Sequence, residues 1–250
     1  MLNDRRRRIA AAFSAAARRY EDAAAVQRHA AGTLAARVLA QGLPDQPGVL
    51  EIGCGTGLLS RALLSGIEGG RFLLTDLSPA MVAACRQGLA DPRVAFAVMD
   101  GERPEAAGGG FDLVVSSLAA QWFQDPGMAL ARQAALLRPG GILAVALLGP
   151  ETFAEWRRAL AAEGLSAGVL PFPDAVPWPP GGKGGVEREA VISAHGDGRA
   201  FLHSLKAIGA HVAASGHRPL NAGELRRVLR RLGEGMTVTY DVLYGVWVKA

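Results

Sequence analysis

Between residues 45 and 150, short apolar runs rich in β-prone residues alternate with amphipathic helical segments. Parallel strands need a crossover connection to reach their neighbours, and a helix is the usual crossover. This alternation therefore predicts an α/β doubly wound fold, in which a mostly parallel sheet is covered by helices on both faces. The predicted strands are "GVLEIG", "RFLLTDLS", "VAFAVMDG", "FDLVVSSLA" and "GILAVALLG".

The segments on either side of this core break the alternation. Residues 4 to about 40 are rich in alanine with apolar spacing, which predicts one helix. Residues 171–186, "PFPDAVPWPPGGKGGV", are so rich in proline and glycine that they predict a mobile loop or cover. Asn221 and Glu224 have capping-box spacing before a last helix, and "MTVTYDVLYGVWVKA" predicts one or two terminal strands. We expect one domain of four parts: a helical cap at 1–40, a core at 45–150, a helical and loop cover at 151–215, and a terminal helix with strands at 216–250.

The start of the chain and its cysteines bear on location. A basic run precedes an apolar stretch, as in a signal peptide, but "AAARRYEDAA" places charge where the apolar stretch would have to continue. No apolar run is long enough to cross a bilayer. Cys54 and Cys85 are the only cysteines and do not have metal-ligand spacing, which favours a reducing compartment. We therefore expect a cytoplasmic protein with no membrane association.

Arginine is concentrated in two places. The chain has a formal net charge of +4, and its dense basic stretches are Arg5–Arg8 and "RRVLRR" at 226–231. They are either solvated helix faces or docking surfaces for an acidic partner. No aromatic residues interleave with them, so the pattern does not support nucleic-acid binding by stacking.

The first predicted strand runs into the glycine turn "GCGTG", in which Gly53, Gly55 and Gly57 alternate before a helix begins. Such a turn lets the backbone pass close to a ligand. The spacing is G-x-G-x-G and differs from the G-x-G-x-x-G of dinucleotide-binding turns, and no lysine or arginine lies inside it to neutralise phosphates.

Acidic residues surround this turn. Glu51 precedes it, Asp76 ends the second strand, and Asp100 with Gly101 ends the third. A carboxylate at the position of Asp76 can accept hydrogen bonds from ribose hydroxyls. The acidic residues together suit a nucleoside that carries a cation better than one that carries a pyrophosphate.

The stretches "LEIGCGTG", "TDLS", "MDGE" and "VVSSLAAQW" resemble, in order and separation, the class I S-adenosylmethionine-dependent methyltransferases. The resemblance implies a Rossmann-like, seven-stranded sheet with an antiparallel last strand. It also implies that the glycines line the methionine and ribose end of S-adenosylmethionine, Asp76 the ribose, and Asp100 with Gly101 the adenine. The candidate cofactor-binding residues are Gln27, Glu51, Gly53, Cys54, Gly55, Gly57, Asp76, Leu77, Asp100, Gly101 and Ser117.

Outside the core, "FSAAARRYEDAAAVQRHAAGTLAARV", "SSLAAQWFQDP", "SLKAIGA" and "VTYDVLYGVW" resemble the malonyl-acyl-carrier-protein O-methyltransferase family of biotin synthesis. This resemblance implies methyl transfer to the free carboxylate of a malonyl thioester on acyl carrier protein. A carboxyl group with a pKa of about 4 is already ionised at neutral pH, so no base is needed. The five histidines lack metal-ligand spacing, and we expect no metal.

Several residues are candidates for handling this acceptor. A buried carboxylate needs a cation or a hydrogen-bond donor, which makes Lys206 a candidate anchor, although it is equally a lysine extended along a helix face. Tyr20 and Gln27 are seven residues apart, on one face of the predicted first helix, and the resemblance places Tyr20 near the transferred methyl. Gln121 and Trp122 follow the fourth strand at its carboxyl end, where such sheets bind ligands, although Trp122 is equally a candidate for ordinary core packing. The residues proposed to steer the acidic carrier protein are Arg226, Arg227, Arg230 and Arg231, or Arg5–Arg8.

Two other functions stay open at this point. A methyltransferase acting on a small molecule would keep the same core but would need no arginine docking surface. An assembly factor could keep the fold and transfer nothing.

Overall fold

The computed structural model describes residues 4–106, 109–214 and 216–250. In this part of the chain, seven strands form one sheet in the order β3-β2-β1-β4-β5-β7-β6. Neighbours from β3 to β5 are parallel, whereas β7 is antiparallel to both β5 and β6. The predicted doubly wound sheet with an antiparallel last strand is confirmed. The strands are β1 Gly48–Ile52, β2 Arg71–Asp76, β3 Val94–Val98, β4 Phe111–Ser117, β5 Leu137–Leu148, β6 Gly182–Ala194 and β7 Thr237–Lys249.

Helices cover both faces of this sheet. Successive side chains of a strand point to opposite faces, and the central strands are apolar at both positions. Val49 packs in one buried cluster and Leu50 in another, and Leu113 and Val114 divide in the same way. The helices are α1 Asp4–Ala16, α2 Tyr20–Ala23, α3 Ala25–Leu39, α4 Leu58–Leu64, α5 Pro79–Gly88, α6 Pro126–Ala135, α7 Ala154–Ala161, α8 Gly198–Ala207 and α9 Ala222–Leu232.

The prediction of a single N-terminal helix is wrong. The chain forms α1, α2 and α3 in place of one helix, with breaks at residues 17–19 and at Ala24. Alanine favours helix throughout this segment, so propensity alone gives no reason for a break. Tertiary contacts act on this segment as well, since Phe13 on α1 meets Trp122 edge to face with ring centroids 5.4 Å apart. The breaks let α1 lie over the site described below.

The prediction of a loop across residues 171–186 is also partly wrong. From Gly182 onward the chain belongs to β6, which pairs with β7 along its whole length. The glycines here serve packing, since a Cβ at Gly184 would lie 2.7 Å from Nε1 of Trp178. A Cβ at Gly245 on β7 would lie 2.4 Å from the same indole ring. Glycine in this stretch therefore leaves room for the ring of Trp178 and does not indicate mobility.

The last helix agrees with its sequence signals. Asn221 accepts hydrogen bonds from the backbone N–H of Glu224 and Gly223, and the Glu224 carboxylate accepts from the backbone N–H of Asn221, which completes the predicted capping box. Arg226 and Arg230 are exposed, as expected. Arg227 and Arg231 are exposed too, but both donate to the carboxylate of Glu163 beyond the end of α7. Across the described residues, every helix is too short or too polar to span a bilayer.

Candidate active site

The glycine turn after β1 is built so that only glycine fits its first position. Gly53 has φ +76°, and a Cβ there would lie 2.5 Å from Cβ of Ala119 in the segment after β4. The backbone N–H groups of Gly53 and Cys54 both donate to the carbonyl oxygen of Thr75, each at 2.8 Å. The turn is therefore fixed against the ends of two neighbouring strands, with its backbone exposed to a cavity.

Asp76 connects this turn to the next one. Its Oδ2 accepts from the backbone N–H of Gly55 at 3.0 Å, and its Oδ1 accepts from the backbone N–H of Ser78 at 2.8 Å. Burial raises the pKa of Asp76, although these hydrogen bonds oppose the shift. The carboxylate thus holds the backbones of both turns in place at the carboxyl ends of β1 and β2.

Glu51 lies buried directly before the turn, with 1% of its surface exposed. Its Oε2 accepts a hydrogen bond from Oγ of Ser60 at 2.6 Å. Burial raises the pKa of Glu51 to about 7, and the nearby charge of Asp76 adds to the shift. A cation bound in this region would favour the ionised form of this carboxylate.

A cavity, called here the donor cavity, lies along the glycine turn. Its wall includes Gly53, Gly55, Asp76, Leu77, Asp100, Gly101 and Ser117. A small annex of it is lined by Gln27, Glu51 and Cys54 together with Gly53, Gly55 and Ser117. The structure thus brings together the predicted cofactor-binding residues with one exception. Gly57 does not line either space; it is the N-cap residue of α4, with φ +94°, and a Cβ there would lie 3.0 Å from Sγ of Cys85.

Helix α1 forms the remaining wall of the donor cavity. Arg6 donates to Oδ2 of Asp100 at 2.8 Å and also contacts Glu102. Oγ of Ser14 lies 2.7 Å from Oγ of Ser78. Arg6 was predicted only as part of a surface cluster, and this is wrong, since its side chain is 13% exposed. The run of four arginines carries no signal that singles out its second member.

A second space, called here the acceptor cavity, meets the donor cavity at Phe13, Tyr20, Leu118 and Trp122, which line both. Its other walls come from α7, α8 and residues 167–172, and they are mainly apolar. Among the described residues that line it, none is lysine, arginine, aspartate or glutamate, and His211 supplies an imidazole. Gln121 also lines this cavity, so Tyr20, Gln121 and Trp122, which were predicted near the acceptor, are brought together. Gln27, predicted on the cofactor side, lines it as well.

Lys206 is not among them. It is exposed on α8, whereas its neighbours Leu202 and Leu205 face the cavity. The expectation that Lys206 anchors a carboxylate in the cavity is therefore corrected, because the helix turns this residue toward solvent. The alternative reading, a lysine on a helix face, fits its position.

For the methyl transfer that the sequence resemblance implies, we accordingly expect Lys206→Ala to change kcat and KM with a small thioester substrate by less than about twofold, as for an exposed surface substitution. Steady-state kinetics on a substrate without a carrier protein measures this directly. A large rise in KM together with unchanged cofactor affinity would return Lys206 to the site.

Tyr20 occupies the centre of the whole arrangement. It lines the donor cavity, its annex and the acceptor cavity, and Gln27 lines the last two. The two residues were expected on one helix, but Tyr20 begins α2 and Gln27 lies on α3. Burial, with the charges of Asp76 and Glu21, raises the pKa of Tyr20 above its ordinary value. The hydroxyl is therefore a hydrogen-bond donor at neutral pH and not a base.

The described residues contain no cluster of His, Cys, Asp and Glu that could hold a metal ion. The geometry is that of two cavities meeting at one protonated tyrosine, with acidic residues on the donor side and a mainly apolar wall on the other.

Comparison with known proteins identifies the family. A profile described as "Methyltransferase domain" matches residues 49–141. The malonyl-[acyl-carrier protein] O-methyltransferase of Magnetococcus marinus is 46% identical over 240 residues, which cover 92% of this chain and 88% of the relative. This chain belongs to the malonyl-[acyl-carrier protein] O-methyltransferase family. Another relative, the biotin biosynthesis bifunctional protein BioCD of Bordetella avium, is also 46% identical, and the match covers 97% of this chain and 52% of the longer protein.

Solved structures support the fold of this malonyl-[acyl-carrier protein] O-methyltransferase family member. The YcgJ protein of Bacillus subtilis superposes with a TM-score of 0.62 at 13% identity, covering 87% of this chain and 98% of that protein. A putative methyltransferase of Bacillus halodurans gives a TM-score of 0.57 at 14% identity, with coverage of 85% and 97%. At these identities the likeness shows the class I methyltransferase fold alone.

The site residues fit S-adenosylmethionine, the methyl donor of this family. A nucleoside can approach the turn closely, because glycine at position 53 leaves the backbone bare. A Cβ at Gly101 would lie 2.4 Å from Cγ2 of Ile52, so glycine is also needed for close packing in the part of the wall beside Asp100. Glu51 and Asp76 supply negative charge for a cationic donor.

Proposed function

We propose that this protein transfers a methyl group from S-adenosylmethionine to the free carboxylate of a malonyl thioester on acyl carrier protein, an early step of biotin synthesis. The observation that carries the proposal is 46% identity to a malonyl-[acyl-carrier protein] O-methyltransferase over nearly the whole chain. That match includes the segments outside the core, and those segments build the acceptor cavity. A location in the cytoplasm stays a prediction.

The donor would bind with its adenine end near Asp100 and Gly101, its ribose near Asp76, and its methionine end near Glu51 and Gln27. S-adenosylmethionine supplies an electrophilic methyl group on a positively charged sulfur. Its acceptor, an ionised carboxylate, has no proton to lose, so the reaction needs no base and asks no proton transfer of His211 in the acceptor cavity.

The residues where the cavities meet would orient the acceptor and exclude water. Phe13, Leu118 and Trp122 form an apolar boundary, which keeps the carboxylate from being stabilised by bulk solvent. Tyr20 can donate a hydrogen bond to a carboxylate oxygen there, because its hydroxyl stays protonated. Positioning in line, at about 3–3.5 Å between the reacting atoms, is the main contribution asked of the protein.

The direct test is a methyl-transfer assay with malonyl-acyl carrier protein, malonyl-CoA and free malonate as acceptors. We expect the carrier-bound substrate to be used best. Equal use of all three would favour a small-molecule methyltransferase. Binding of S-adenosylmethionine without turnover on any of them would favour an assembly factor. Restoring growth in a strain that cannot begin biotin synthesis would place the activity in its pathway.

Charge on α9 is expected to steer the acidic carrier protein. Arg226 and Arg230 are exposed, and each lies about 100° around α9 from Arg227 or Arg231, the pair that donates to Glu163. The double reversal Arg226→Glu and Arg230→Glu should lower kcat/KM for malonyl-acyl carrier protein roughly tenfold at low salt, since steering raises association rates by at least that factor. The loss should shrink as salt is added.

The matched control is Arg71→Glu with Arg86→Glu, which makes the same change in net charge on exposed residues of β2 and α5. Kinetics with the carrier-bound substrate at several salt concentrations measures both variants. Equal losses in the two would show that net charge alone matters, and would remove α9 from the docking surface.

A further inference from the structure

A third space opens from the acceptor cavity and is called here the outer cavity. The two share Gln121 and Leu170 in their walls. The outer cavity is the wider, about 590 Å³ against about 210 Å³, and part of its wall, including Gln124 and Pro171, is exposed at the surface. A substrate that enters through it would therefore pass from a wide opening to a narrow apolar end.

Gln121 lines both the acceptor cavity and the outer cavity, and its amide oxygen receives no hydrogen bond from the described residues. Its Nε2 donates to the carbonyl oxygen of Leu118 at 2.7 Å, which fixes the orientation of the amide. Its Oε1 is buried and has no hydrogen-bond partner among the residues that the structure describes. A buried acceptor without a donor is costly, so such an atom in a cavity wall marks a place where a ligand N–H can bind.

Arg5 is the one charged side chain among the described residues that line the outer cavity. It is half-buried, and its Nη1 donates to the carbonyl oxygen of Trp122 at 3.3 Å. A guanidinium group has five N–H donors, and the described contacts of Arg5 use one of them. The others suit a phosphate group, which guanidinium binds through paired hydrogen bonds.

We propose that the outer cavity is a binding channel for a phosphorylated, amide-containing arm that carries the malonyl thioester. Arg5 binds the phosphate ester near the opening, Oε1 of Gln121 accepts from an amide N–H of the arm, and the thioester lies in the apolar acceptor cavity. This rests on the proposed function and adds how that substrate is recognised. It also separates the roles of the arginines, with Arg5 making a short-range contact and α9 acting at a distance.

The test compares malonyl thioesters of phosphopantetheine and of pantetheine, which differ only in the phosphate. Arg5→Gln should raise KM for the phosphorylated thioester by roughly tenfold, the loss of one charge-assisted contact, and leave KM for the other unchanged. Arg5→Lys should recover part of the loss. Gln121→Leu should raise KM for both thioesters, because both arms contain the amide.

Arg71→Gln is the control, since Arg71 is exposed at the start of β2, at the opposite end of the strand from the site. Equal rises in KM for both thioesters with Arg5→Gln would reduce Arg5 to a support for Trp122 and overturn the phosphate contact. No rise in KM for either thioester with Arg5→Gln would show that Arg5 does not contact the arm, and would overturn the proposed opening of the channel. Turnover of malonyl-acyl carrier protein by the unaltered enzyme is measured alongside, so a failure of the proposed function itself is seen separately.

Discussion

Gly53→Ala is expected to weaken S-adenosylmethionine binding by about a hundredfold, from the combined cost of a left-handed backbone for alanine and a steric overlap. Residue 53 has φ +76°, and its new methyl would lie 2.5 Å from Cβ of Ala119. Neither atom belongs to a flexible side chain, so the turn has to move. That motion would shift the backbone away from the donor cavity. Isothermal titration calorimetry with S-adenosylmethionine measures the effect.

Gly140→Ala is the matched control. Gly140 has φ +75°, and a Cβ there meets nothing within 4 Å. It therefore carries the same backbone penalty without the overlap and lies outside the donor cavity. We expect Gly140→Ala to lower the melting temperature slightly and to leave cofactor affinity unchanged. Wild-type affinity in Gly53→Ala would mean that the bare backbone at 53 does not contact the donor.

The affinity for S-adenosylmethionine is also expected to fall as the pH is lowered through about 7. Burial raises the pKa of Glu51 to about 7, so this carboxyl is partly protonated in the free protein near neutrality. A cationic ligand binds best to the ionised form, and binding then releases a proton. The dissociation constant should be flat above about pH 8 and should rise roughly tenfold per unit well below the pKa.

Glu51→Gln separates this effect from other titrations. Its amide keeps the size of the side chain and removes the charge, so affinity at pH 8 should drop and the dependence near pH 7 should disappear. Asp76, whose pKa is also raised by burial, still titrates in this variant. A pH dependence that persists unchanged in Glu51→Gln would assign it to Asp76 or to another group.

Much of the core could be predicted from the sequence because it depends on local patterns. The alternation of strands and helices fixes a parallel sheet, and the carboxyl ends of its strands bring the glycine turn, Asp76 and Asp100 to one edge.

The sequence predicts that Tyr20 and Gln27 lie together, but for the wrong reason. One helix was expected to carry both, whereas a break between α2 and α3 leaves them beside the same cavities.

The remaining features depend on contacts between distant segments. Arg6, the second of four consecutive arginines, forms ion pairs with Asp100 and Glu102, which lie across the cavity from α1. Lys206 is turned outward by the packing of Leu202 and Leu205. Glycine-rich composition at the start of β6 predicts a loop, whereas the pairing with β7, more than 50 residues further along the chain, makes it a strand. No local period or motif encodes these three outcomes.

Helix α1 contributes to the walls of both the donor cavity and the acceptor cavity, so the opening of one is linked to the opening of the other. Phe13 lines both the donor cavity and the acceptor cavity, so a movement of α1 that opened the donor cavity would also uncover the acceptor cavity. A finished ester would then lose its enclosure at the same moment. Each catalytic cycle would end with both cavities open. The enzyme would then methylate one carboxylate per binding event and bind a new methyl donor and a new acceptor before the next.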